Sequence, residues 1–144
     1  MDRQRFIYVT YISTKPAQLW DALSDRKLTR QYWEHDNVSD WKRGSRWEHR
    51  RPDEKGTVDV AGKIIECEPN RRLVLTWAAP DTDEDEQGAS RVTFELEPVA
   101  DSVRLRLTHE GIGPEAFAGS GGWPAVLSSL KTLMETGRPL KNLW

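Results

Sequence analysis

The feature that most constrains this chain is a change of hydrophobic period along its length. Residues 103–109 alternate strictly: Val103, Leu105, Leu107 and His109 face one way, and Arg104, Arg106 and Thr108 face the other. That is the period of a strand with one buried face. Residues 45–51, 57–66, 72–78 and 90–97 read the same way, separated by turn residues such as Asp53-Glu54-Lys55-Gly56 and Glu68-Pro69-Asn70. The period then becomes helical. Over residues 123–136, Trp123, Leu127, Leu130 and Met134 recur at i, i+4, i+7 and i+11, and Val126 and Leu133 widen the stripe. Pro124 sits in the first turn and Gly137 follows the last. Ahead of all this, residues 3–12 form a strand with two semi-apolar faces, Phe6, Tyr8, Thr10 and Ile12 against Ile7, Val9 and Tyr11. Ser13-Thr14-Lys15-Pro16 then starts a short helix carrying Leu19, Trp20 and Leu23, and residues 25–33 form a second, with Leu28, Tyr32 and Trp33 inward. Strand, two short helices, about five further strands and one long helix predict an α+β fold with helices on one face of an antiparallel sheet. A curved sheet wrapped around one helix leaves a space suited to a pocket.

Length and charge narrow the class. With 144 residues the chain is read as one domain, expected over residues 1–138, followed by a loosely docked tail at 139–144. No run of 18 apolar residues is present, so no transmembrane helix is expected. The N-terminus has no apolar segment of secretory type, and one cysteine, Cys67, forms no internal disulfide. Both point to the cytoplasm. A formal charge of -2 disfavours nucleic-acid binding. Lys42, Arg43, Arg46, Arg50 and Arg51 do interleave with Trp41 and Trp47, but alternation sends Trp47 and the arginines to opposite faces, leaving a solvated basic face. The acidic run Asp81–Glu86 lacks the spacing of a calcium loop and reads as a solubilising hairpin.

The chain is very polar, with a mean hydropathy of -0.72, yet it has seven Trp against three Tyr and three Phe. Trp47, Trp77 and Trp123 fall on two inward strand faces and the long helix, together with Val60, Phe94, Leu105 and Leu107. His49 and His109 point the same way. An apolar space with a few placed polar groups is what a small-molecule site requires. The candidate ligand-binding residues are therefore Trp47, His49, Val60, Trp77, Phe94, Leu105, His109 and Trp123. A filled core with histidines at its rim is the alternative. No Gly-x-Ser-x-Gly is present, Cys67 has no His near it in sequence, and His35-Asp36, His49 and His109-Glu110 lack the spacing of a standard metal set. No catalytic residue, metal or cofactor is assigned.

Several motifs in order resemble the AHSA1 family, within the START-like, helix-grip (SRPBCC, Bet v 1-like) superfamily. They are ISTKPAQLWDALSD at 12–25, the aromatic pair Tyr32-Trp33, Gly44-Ser45-Arg46-Trp47, GKIIECEPNRRLVLTW at 62–77, VTFELEP at 92–98, LRLTHEG at 105–111, and Gly122-Trp123 with Leu127, Leu130, Lys131 and Gly137. The resemblance implies a helix-grip fold of about six strands around the C-terminal helix. It implies a non-enzymatic binding protein for a small apolar or aromatic ligand, with two alternatives. One is a stress- or chaperone-associated partner, as in activators of Hsp90. Co-chaperone members carry an additional N-terminal domain, and here one fold uses all 144 residues. The other is a cyclase-like enzyme using His49 or His109 as acid or base. A homodimer through exposed strand edges or the C-terminal tail is also expected.

Overall fold

The computed structural model describes residues 4–80, 90–112 and 122–141. Its elements are β1 (Gln4–Ile12), α1 (Pro16–Ser24), α2 (Arg26–Trp33), β2 (Asp36–Val38), β3 (Arg46–Arg50), β4 (Val58–Glu68), β5 (Arg72–Trp77), β6 (Ser90–Val99), β7 (Ser102–Ile112) and α3 (Gly122–Thr136). The strands form one antiparallel sheet in the order β1-β7-β6-β5-β4-β3-β2. The helix-grip architecture is as expected, with seven strands rather than about six. The extra strand, β2, is three residues long. Its place is set by contacts with α2: the Asn37 N–H donates to Thr29 Oγ1 at 3.0 Å, and buried Asp36 receives Arg26 and Arg30.

The helix ends follow local chemistry. Pro16 opens α1, where its missing N–H leaves nothing unsatisfied. Asp25 caps α2 by accepting from the Lys27 N–H at 2.8 Å. Gly137, at φ 82°, closes α3 with its N–H on Leu133 O. The α3 stripe is buried at Trp123, Val126, Leu127, Leu130 and Leu133, and it meets inward Ile12, Leu73, Leu75, Val92, Phe94, Val103, Leu105 and Leu107 in one core.

At β4 the sheet bends. Residues 46–50 of β3 pair with its first half, β5 pairs with its second half, and the register slips between Ile64 and Glu66. Gly62 lies at the crossing. A Cβ there would stand 2.0 Å from Thr76 O and 2.6 Å from Thr76 Oγ1, so only glycine fits. The same Thr76 carbonyl accepts from Trp47 Nε1 at 2.7 Å, and Thr76 Oγ1 accepts from the Lys63 N–H at 2.8 Å. The close approach thus seats the first of the inward tryptophans.

The acidic run 81–86 and Trp144 lie outside the described residues. Among the described residues no helix is long and apolar enough to cross a membrane.

Candidate functional site: an aromatic cluster under the C-terminal helix

Alternation on β3 buries Trp47 and His49 and turns Arg46, Glu48 and Arg50 outward. β5 ends on half-buried Trp77, β7 contributes buried His109, and the first turn of α3 contributes buried Trp123. These side chains converge as expected. Trp77 lies 5.4 Å from Trp47, 5.2 Å from Trp123 and 5.6 Å from His109, ring centre to ring centre. Phe94 meets Trp123 edge-on at 6.0 Å. Val60 is half-buried at the margin. Leu105 is fully buried but pairs with Thr10 and Leu96 and belongs to the general core, not to the lining of the small gap described below.

Three participants escaped the sequence reading. Trp33, at the end of α2, is central: its ring lies 4.6 Å from His49, 5.3 Å from Trp123 and 6.0 Å from Trp77. His35 stacks on His49 at 3.9 Å with only 7° between planes. Trp41 lines the central gap from a left-handed backbone, φ 59°, held by its N–H on Ser39 Oγ. A bulky residue in that region is strained, and such strain concentrates at functional sites. The signal for Trp33 was present, since the residue was placed inward; what local periodicity lacked was which partner it would meet.

The polar groups are tightly committed. Trp123 Nε1–H donates to His109 Nδ1 at 2.9 Å. An indole N–H only donates, so Nδ1 is the acceptor and the proton of neutral His109 sits on Nε2. That nitrogen faces Ser90 Oγ at 2.8 Å, and the Ser90 hydroxyl in turn donates to Trp77 O at 2.8 Å. The chain of donors runs from Trp123 through His109 and Ser90 to the backbone. His109 therefore offers Ser90 a proton rather than removing one, which is the wrong sense for nucleophile activation. His49 Nδ1 lies 2.5 Å from Asn37 Oδ1. His35 places Nδ1 on Trp33 O at 3.1 Å and Nε2 on Asp59 Oδ2 at 2.8 Å. Burial, aided by the neighbouring His35, pushes His49 down to about 3, against a smaller opposing pull from Asp59. Burial pushes His109 down to about 4. Protonating His109 on Nδ1 would also forfeit the Trp123 bond.

The rings nearly fill their space. Among the described residues, the gap bounded by Trp33, Trp41, Trp47, Trp77 and Phe94 has about 10 Å³ of room, roughly one water. Also among the described residues, no three His, Cys, Asp or Glu side chains are grouped to hold a metal. Cys67 is half-buried, and its burial raises the thiol above its usual range, which disfavours the thiolate. Three arginines of the basic stretch are ion-paired: Arg46 and Arg50 hold Glu48, and Arg51 holds Asp59 of β4.

Comparison with known proteins agrees with this architecture. The family model described as Activator of Hsp90 ATPase homolog 1-like protein matches residues 13–135. The chain belongs to the AHSA1 family. Similar solved structures include protein MLL2253 from Mesorhizobium loti, at 29% identity and TM-score 0.73, covering 90% of this chain and 96% of that one. A solution structure of the Aha1 dimer from Colwellia psychrerythraea aligns at 23% identity and TM-score 0.76, covering 93% and 98%. CalU16 from Micromonospora echinospora aligns at 21% identity and TM-score 0.72, covering 94% and 78%. No curated protein matches the chain. The last two structures speak to fold alone. AHSA1 membership carries the helix-grip fold with it and leaves the chemistry of the aromatic cluster to be argued from the residues.

Proposed function

We propose that this AHSA1 protein is a cytoplasmic, non-enzymatic binding protein that takes a small apolar or aromatic ligand at the tryptophan cluster. One observation carries the reading. Trp33, Trp47, Trp77 and Trp123 converge under α3, the first three wall a small gap together with the strained Trp41, and two of these rings, Trp33 and Trp77, remain partly exposed. The residual 10 Å³ holds no ligand as it stands, so binding works by displacement. A flat molecule takes the place of a half-exposed ring and stacks on those beneath it. His49 and His109 support binding rather than catalysis. Their low affinity for protons leaves them neutral near pH 7, far from the matched value a general acid or base needs.

The test is intrinsic fluorescence and melting temperature against a library of lipophilic and aromatic compounds. At least one compound is expected to quench the tryptophans saturably and raise the melting temperature. Unchanged fluorescence and melting across the library would overturn the reading.

A second reading follows from family membership: association with a chaperone of the Hsp90 type. Affinity capture that returns no chaperone counts against it. We also propose a homodimer, on the model of the Colwellia psychrerythraea Aha1 dimer, which shares the fold.

A further inference from the structure

The sheet has two edges of unequal character. β2 is three residues long, with Asp36 and Asn37 held by α2. β1 is nine residues long, and its stretch Phe6-Ile7-Tyr8-Val9-Thr10-Tyr11 contains neither charge nor proline. Ile7, Val9 and Tyr11 on its outer face are 40%, 46% and 49% exposed. Beyond Ile7, the row running inward through Thr108 and Thr93 to Val74 is buried, and the rows beside it are charged. On the neighbouring strands Arg104 pairs with Glu97, and Arg72 bridges Glu66 and Glu95. Among the described residues the exposed large apolar side chains of this face are thus those of the edge strand, where an uncovered ladder of N–H and C=O groups would invite pairing.

The backbone shows which groups are open. Tyr11 O accepts from Lys131 Nζ at 2.5 Å, and the Ser13 N–H donates to Glu135 Oε2 at 2.8 Å. Both groups therefore point away from β7, towards α3. In an antiparallel ladder residues alternate in direction, so Ile7 and Val9 also direct their N–H and C=O outward, as does Arg5. Lys131 and Glu135 occupy the end of the edge at Tyr11–Ser13, and among the described residues no group bonds the outward N–H and C=O of Arg5, Ile7 and Val9.

We infer that this segment pairs antiparallel with the same segment of a second copy, about a two-fold axis at Ile7. The inference rests on the proposed homodimer and names its surface. The α3 clip rules out an axis at Val9, which would bring the partner onto the occupied end, and of the remaining axes only that at Ile7 pairs Arg5, Ile7 and Val9 of both copies. With the axis at Ile7, the two Ile7 side chains abut, and Val9 packs on the alkyl stem of the partner subunit's Arg5. About six backbone hydrogen bonds form, and each copy has one such edge, so the assembly closes at two. A pairing of five residues is a small interface, so dissociation in the micromolar range is expected.

The experiment is sedimentation velocity from about 2 to about 200 μM. The sedimenting mass is expected to rise from 16.6 kDa to twice that value. Ile7→Lys and Val9→Lys, both on exposed positions, should each hold the protein at monomer mass with an unchanged circular dichroism spectrum. Ile7→Cys is expected to cross-link on mild oxidation, because directly opposed residues have Cα atoms about 5.5 Å apart, within disulfide range. Tyr11→Cys, which does not meet itself across this axis, should not cross-link. The cross-link result decides the question if a lysine variant fails to fold. A dimer that survives both lysine variants, or cross-links no better at 7 than at 11, overturns this interface and leaves the homodimer standing. A monomer at every concentration overturns both.

Discussion

Acidification from pH 7 to pH 5 should destabilise this protein far more than its near-zero net charge suggests. His49 and His109 are 5% and 4% exposed, and their folded values lie at about 3 and about 4, below the ordinary 6.5. Between those limits the unfolded chain binds two protons that the folded chain refuses. Stability is therefore full above about pH 6.5 and is lost as the pH falls towards the folded values. Each histidine contributes a slope of about 1.4 kcal/mol per pH unit, so the pair costs about 4 kcal/mol at pH 5. That is a large share of the 5 to 15 kcal/mol typical of a domain. Carboxylates of the unfolded chain remain mostly ionised in this window, so they mask little of the effect. Asp36, held at about 2 by Arg30 and Arg26, keeps its charge throughout. The assay is urea unfolding followed by tryptophan fluorescence at half-unit steps from pH 7.5 to 5. His49→Gln and His109→Gln should each remove about half of the slope. A free energy constant to within about 1 kcal/mol from pH 7 to 5, or a slope untouched by both substitutions, would refute the claim that these imidazoles are held neutral by burial.

Two further predictions concern packing. Gly62→Ala drives a methyl into the Thr76 carbonyl that seats Trp47, and since a backbone atom is the obstacle, a loss of about 3 kcal/mol or more is expected by chemical denaturation, with a red-shifted tryptophan emission. A variant as stable as the parent would show that β4 and β5 can separate at no cost. Ser129 is fully buried on α3, and its hydroxyl has no hydrogen-bond partner among the described residues. Ser129→Ala is therefore expected to stabilise the fold by about 1 kcal/mol, as a rise in denaturation midpoint without a change of m-value. A fall in midpoint would mean that the hydroxyl is satisfied in solution.

The fold was legible where burial is decided by period. β3 hides alternate residues, β6 and β7 do so except that Thr93 and Thr108 are buried as well, α3 hides a 3.6-residue stripe, and both patterns are local. β2 follows no such pattern. Asp36 and Asn37 are buried because Arg30 and Thr29, one short helix earlier, satisfy them, so the strand exists through tertiary pairing that composition conceals. β5 departs in the other direction: Val74 and Thr76 are buried as well as Leu73 and Leu75, Thr76 because Gly62 lets β4 crowd onto it, and Val74 in one buried row with Thr93 and Thr108. At the candidate site the same division holds. That Trp47, His49, Trp77, His109 and Trp123 face inward follows from alternation and helical spacing. What they do there depends on partners that those periods do not determine. His109 was read as a group free to orient a ligand, yet Trp123 and Ser90 engage both its nitrogens. Trp33 was read as the inner side of a small helix, yet it packs against the long helix through Trp123. Periodicity places a side chain on a face; whether that face is a pocket or a packed cluster is set by the residues arriving from elsewhere in the chain. Here four tryptophans from four different elements arrive together, so any ligand must compete with a ring for its place rather than enter an empty space.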